Sequence, residues 1–164
     1  MIRLTNVLVA TDFSETSDSA LDYGRELART FGARLHVLHV VENSLAWTEG
    51  VAFDVDAAQA HVEEGARKKL TEIVGPDNGQ PPATTAVVKA GASPAFVIAD
   101  YAKEANVDLI VMGTHGRSPI VHLFIGSVAE RVVRIAPCPV LTVRHPEREF
   151  VLPDALQAVA STRK

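Results

Sequence analysis

The run Leu109-Ile110-Val111-Met112-Gly113-Thr114-His115-Gly116, resumed nine residues later by Gly126-Ser127, decides how this chain folds. Four apolar residues end in a glycine, and a helix-like run from Val128 to Ala136 follows the final pair. Three glycines and a hydroxyl at such a strand-to-helix junction can wrap backbone N–H groups around a phosphate. Glycine permits positive φ and close approach, and a helix start offers free donors with a favourable dipole. The segment therefore predicts a nucleotide-phosphate cradle.

Outward from that junction, short apolar runs alternate with helical periods. Asn6 to Ala10 reads as a strand buried on both faces, because its apolar run Val7-Leu8-Val9-Ala10 is unbroken. Ser14 caps a helix whose positions Ala20, Leu21, Gly24, Leu27, Ala28 and Phe31 recur at threes and fours, and Gly32 stops it. Leu35 to Val41 is a second strand, followed by a loop from Glu42 to about Gly50. A second helix carries Ala58, His61, Val62, Gly65, Ala66, Lys69, Leu70 and Ile73 on one side, ends at Gly75-Pro76, and leads into a polar linker reaching Pro82. Thr84 to Lys89 is a third strand. Ser93-Pro94 opens a third helix, a capping hydroxyl before a proline at the first helical position, with Ile98, Tyr101, Ala102 and Ala105 as its buried stripe. Val107 to Met112 forms the fourth strand and Gly126 to Ala136 the fourth helix. Pro137-Cys138-Pro139 breaks that helix before a fifth strand, Val140 to Val143.

This βαβαβαβαβ order predicts an α/β fold, a Rossmann-like open sheet of five parallel strands with helices on both faces. Ligands of such sheets sit beyond the carboxyl ends of the strands, where the winding reverses. Ala10-Thr11-Asp12 follows the first strand and the glycine motif follows the fourth, so neighbouring first and fourth strands would set the two segments across one crevice. The 164 residues suit a single domain, 1–144, with an extension, 145–164, read either as a short helix around Leu152 to Val159 or as a loose tail.

Composition narrows the function classes. A net charge of −4 speaks against a general electrostatic grip on nucleic acid or an anionic membrane. No apolar stretch approaches the ~20 residues that span a bilayer. The opening Met1 to Asn6 lacks the pattern of a secretory signal, and the single Cys138 forms no internal disulfide, so a cytoplasmic setting is the expectation.

At this point the chain resembles the universal stress protein family, from about residue 3 to residue 144. The resemblance is carried by Val7-Leu8-Val9-Ala10-Thr11-Asp12, Leu38-His39-Val40, Asp108 to Gly113, the spaced glycines with Ser127, and Cys138 to Val143. The glycine spacing is that of the ATP-binding branch. The resemblance implies strand order 3-2-1-4-5 and a homodimer through antiparallel pairing of the fifth strands, Val140 to Val143. It implies ATP as the ligand, with Mg2+ held without a protein ligand cluster. Asp12 would lie near adenine and ribose, with Ala10 and Thr11 lining that end, and Val40 would meet the adenine. Met112 and Gly113 would approach ribose and phosphates. Gly116, Arg117, Gly126, Ser127 and Val128 would bind the phosphates, under a flap from Arg117 to Ile125.

Blander readings stand beside these. The glycines can serve a tight turn and close helix packing, Asp12 can be a turn or cap residue, and Arg117 an ordinary solvated side chain. His36 and His39, three apart on a strand, point to opposite faces and read as packing residues. His61 and Glu64 share a helix face without further ligands in order, which argues against zinc. Cys138 reads as structural, the Glu63-Glu64 and Lys68-Lys69 pairs as a solvated face, and Trp47 as cover for the core edge. Neither a Walker-type lysine loop nor the Ser-Gly-Gly opening of ATP pyrophosphatases is present, and no residue is placed as a general base. The function expected is an ATP-dependent regulatory module in stress response, not an enzyme. A nucleotide-free dimerising module and a slow ATP hydrolase are the alternatives.

Overall fold

Strand β1 (Asn6–Thr11) lies at the centre of a five-stranded sheet of order β3-β2-β1-β4-β5, and every pairing is parallel. The computed structural model describes residues 2–43, 55–75, 82–114 and 126–144. The other strands are β2 (Arg34–Glu42), β3 (Thr84–Gly91), β4 (Leu109–Gly113) and β5 (Val140–Val143). Helices α1 (Glu15–Phe31), α2 (Val55–Val74), α3 (Pro94–Glu104) and α4 (Ser127–Ile135) connect them. No helix among the described residues is long and apolar enough to cross a membrane.

The unbroken apolar run of β1 has its explanation in burial on both sides. Val7 and Val9 join Ala20, Leu21 and Ala28 of α1 and Leu70 of α2 in one core layer. Leu8 and Ala10 join Ala95, Ile98 and Ala102 of α3 and Ala129 and Val132 of α4 in the other. Alternate residues of one strand thus feed two layers, as a doubly covered parallel sheet requires.

Local sequence signals set most boundaries. Ser14 accepts a hydrogen bond from the Ser17 amide and starts α1, and Gly32, at φ 64°, ends it. Strand β4 begins later than the apolar run suggested. Asn106 turns left-handed (φ 49°), the Val107 amide donates to Ala102 O, and the Asp108 carboxylate accepts from the Thr5 and Asn6 amides and the Thr5 hydroxyl. Residues 107–108 therefore belong to the turn that ties β4 to β1.

The expected cap at Ser93 does not form. Its backbone sits at φ −138°, ψ 108°, and its hydroxyl makes no capping hydrogen bond. Helix α3 starts instead on Pro94, whose ring fixes a helical φ and removes one orphan donor.

Candidate functional site

Strands β1 and β4 are direct neighbours at the reversal of strand order, with Ala10 opposite Met112. Their carboxyl ends open onto a cavity of about 740 Å³. Ala10, Thr11, Asp12, Val40, Met112, Gly113, Gly126, Ser127 and Val128 all line it. Every sequence-predicted site residue within the described regions is thus brought together. Gly116, Arg117, His115, the flap from Arg117 to Ile125, Trp47 and residues 145–164 lie outside the described residues.

The strand period divides the roles at the tip of β1. Ala10 faces the layer of α3 and α4. Thr11 is buried, and its hydroxyl pairs with Ser17 Oγ at 3.0 Å while accepting from the Phe13 amide at 3.0 Å. The Thr11 hydroxyl is therefore a scaffold group at the cavity wall. Asp12 Oδ1 accepts from the Ser14 amide at 3.1 Å and the Ser14 hydroxyl at 2.6 Å. Asp12 is a turn residue that also lines the cavity.

Across the crevice, Gly113 satisfies the packing reading. A Cβ there would stand 2.8 Å from Thr16 Cγ2 and 3.2 Å from the Thr16 carbonyl carbon. Only a glycine lets β4 end this close to α1. Thr114, also buried, donates its amide to Val143 O and accepts from the Gly126 amide at 2.6 Å. That last bond clasps the two ends of the 115–125 segment and corrects one detail of the expected cradle. The Gly126 amide is taken, so a phosphate contact at this position cannot use it. The next amides, of Ser127, Val128 and Ala129, open α4 without intrahelical acceptors, because the ladder begins with Glu130 N donating to Gly126 O. These three donors sit at the positive end of the helix dipole.

The other side of the cavity holds His39, which the sequence left as packing, and Lys69, which it read with Lys68 as a solvated face. His39 and Val40 are adjacent on β2, so they face opposite layers. Val40 packs with the α3 and α4 layer, whereas His39 stacks on Phe13 with centroids 4.2 Å apart. Phe13 has φ 65°, and Lys69 of α2 places its ammonium 4.6 Å from the Phe13 ring centroid. Lys69 is the one lysine or arginine lining the cavity among the described residues, against the carboxylates of Asp12 and Glu42. The signal that could have found His39 is its place at the carboxyl edge, level with Thr11 in the register.

At the amino edge of the sheet, titratable groups have structural duties. His36 bonds the Tyr101 hydroxyl through Nδ1 (2.8 Å) and faces Asn6 Oδ1 through Nε2 (3.4 Å). Burial and then Arg34 depress its pKa. The Thr5 hydroxyl and the Thr5 and Asn6 amides hold Asp108 below the usual carboxylate range. Burial pushes the Cys138 thiol up, which suits a structural role. No group of three His, Cys, Asp or Glu that could hold a metal occurs among the described residues.

Comparison with known proteins agrees with this architecture. Residues 4–144 match the family model described as the Universal stress protein family. Universal stress protein A homolog 2 of Coxiella burnetii is 37% identical over 147 residues, covering 88% of this chain and 97% of the relative. Among solved structures, UspA from Lactobacillus plantarum superposes with TM-score 0.69 at 30% identity, over 88% of this chain and all of that one. The protein MJ0577, 26% identical, gives TM-score 0.76 over 87% of this chain and 97% of its own. Two proteins that share the fold at 24% and 23% identity, each with TM-score 0.57 and covering 87% of this chain and 98% and 99% of their own, are universal stress proteins solved with cAMP and, from Archaeoglobus fulgidus, with dAMP. Strand order, glycine-flanked crevice and sequence match converge, and the chain belongs to the universal stress protein family.

Proposed function

We propose that this protein binds an adenine nucleotide, ATP with Mg2+, in the cavity between β1 and β4, and that occupancy regulates a cytoplasmic homodimer in the stress response. The observation that carries the reading is the meeting of three open α4 amides with Asp12 and Val40 around one cavity at the reversal of strand order. Phosphates would take the amides of Ser127, Val128 and Ala129, ribose would approach Asp12, and adenine would lie toward Val40. The cation would be held by phosphate oxygens and water, in keeping with the lack of a metal-ligand cluster among the described residues. The same fold accommodates adenine nucleotides in its cAMP and dAMP complexes. Strand β5 is an edge of the sheet and Leu141 on it is exposed, which supports antiparallel pairing of Val140 to Val143 with a second copy.

Proline replacement at Ser127 tests the cradle with little structural cost. Ser127 is the first helical residue, where proline is favoured, and Gly126 before it already has the extended backbone that a following proline requires (φ −57°, ψ 148°). Ser127→Pro removes one amide donor, whereas Ser127→Ala keeps it. Calorimetry with MgATP should show the proline variant binding roughly tenfold more weakly than the alanine variant, the worth of one hydrogen bond to a charged group. Equal affinities would place the phosphates elsewhere.

A further inference from the structure

We propose that His39 is a positioning residue that fixes the Asp12 carboxylate against the ribose hydroxyls of a bound nucleotide; this inference rests on the reading above. The parallel register sets His39 beside Thr11. A carbonyl only accepts, so the 2.8 Å contact between His39 Nδ1 and Thr11 O puts the proton on Nδ1. Thr11 O belongs to the peptide unit that ends in the Asp12 nitrogen. The imidazole thus anchors the peptide plane entering Asp12.

The same ring also grips the residue that follows. Phe13 lies against it with centroids 4.2 Å apart and planes 31° apart. Phe13 holds φ 65°, a left-handed backbone that a non-glycine residue keeps only when its surroundings over-determine it. Here the Phe13 amide donates to Thr11 Oγ1, and the Lys69 ammonium sits 4.6 Å from the ring centroid. Asp12 is therefore bracketed, its preceding carbonyl and its following side chain both held by one side chain from β2. Its Oδ1 is committed to Ser14, so the direction of the carboxylate follows the turn backbone. Without the His39 donor, the plane before Asp12 can rotate and the carboxylate moves with it.

Calorimetric titration with MgATP and with 2′,3′-dideoxy-ATP, which lacks both ribose hydroxyls, isolates this effect. The proteins compared are wild type, Asp12→Ala, His39→Asn, His39→Phe and His39→Leu. The wild type should prefer ATP by roughly tenfold, the value of a hydrogen bond to a charged group. Asp12→Ala should bring that ratio near one. His39→Phe, which keeps a stacked ring, and His39→Leu, which does not, should lower the ratio similarly while binding the dideoxy nucleotide as the wild type does. His39→Asn, whose side-chain amide can donate near the Nδ1 position, should keep most of the preference. The phenylalanine and leucine variants differ in bulk, and one that folds suffices, since dideoxy-ATP binding reports an intact cavity. A folded Phe or Leu variant that keeps the wild-type ratio, or loses both ligands alike, overturns the positioning role while Asp12→Ala still supports the site. An unchanged ratio in Asp12→Ala, or a wild type that binds neither nucleotide, ends the proposed placement and this inference together.

Discussion

His36 and His39 are three residues apart on β2 and show how far one strand separates two fates. His36 is buried among Tyr101 and Asn6, where burial and then Arg34 favour the neutral imidazole. The unfolded chain takes up a proton as pH falls through about 6.5, before the folded protein does. Stability present above that pH is therefore lost below it. Urea unfolding between pH 7.5 and 5 should show wild type losing stability on the acid side, with a shallower slope for His36→Gln, whose amide satisfies both neighbours without titrating. An unchanged slope would assign the acid loss to other groups. The opposite facing of the two histidines was legible from the strand period alone. The work of His39 was not, because its hydrogen bond depends on the β1–β2 register and its stack on the left-handed turn at Phe13. Gly126 illustrates the same limit: its spacing from Gly113 and Gly116 led to the expectation of a cradle, but only the meeting with Thr114 reveals that its amide is taken.

Helix α1 is the element that couples the sheet to the crevice. Ser14 caps it, Gly32 ends it, and Thr16 presses on Gly113 at the tip of β4. Midway along, a Cβ built on Gly24 would run into Val9 Cγ2. Val9 is fully buried and stiff at χ1, so it has no room to swing aside. Two effects oppose each other in Gly24→Ala: alanine gains up to about 1 kcal/mol of helix propensity, and overpacking costs roughly 1–3 kcal/mol. The clash should win, and thermal unfolding should show the variant melting lower than wild type. A higher melting temperature would mean that α1 moves off the sheet without cost. Both ends of α1 were readable from Ser14 and Gly32, since capping is set by a few adjacent residues. The start of α3 was likewise readable from Ser93-Pro94, although the capping hydrogen bond expected of the Ser93 hydroxyl is not made.

At the scale of the molecule, the two edges of the sheet have separate duties. The amino edge is fastened by Asp108, His36 and Tyr101, and the carboxyl edge carries the cavity. Strand order followed from the family resemblance and is what the sheet shows; alternation of strands and helices alone left it open. If the cavity binds MgATP, mass action stabilises the fold by about 2.7 kcal/mol at a hundredfold excess over Kd. For a chain of this size that corresponds to a rise of roughly 5–10 °C in melting temperature. No rise in a thermal scan would favour the dimerising module without nucleotide. The clasp between Thr114 O and Gly126 N has one more consequence. It joins the two residues that flank the 115–125 stretch. With both anchors pinned to the scaffold, doubling the tether between them adds only about 0.6 kcal/mol of closure entropy. The length of that stretch can therefore change at little cost to the architecture beneath it.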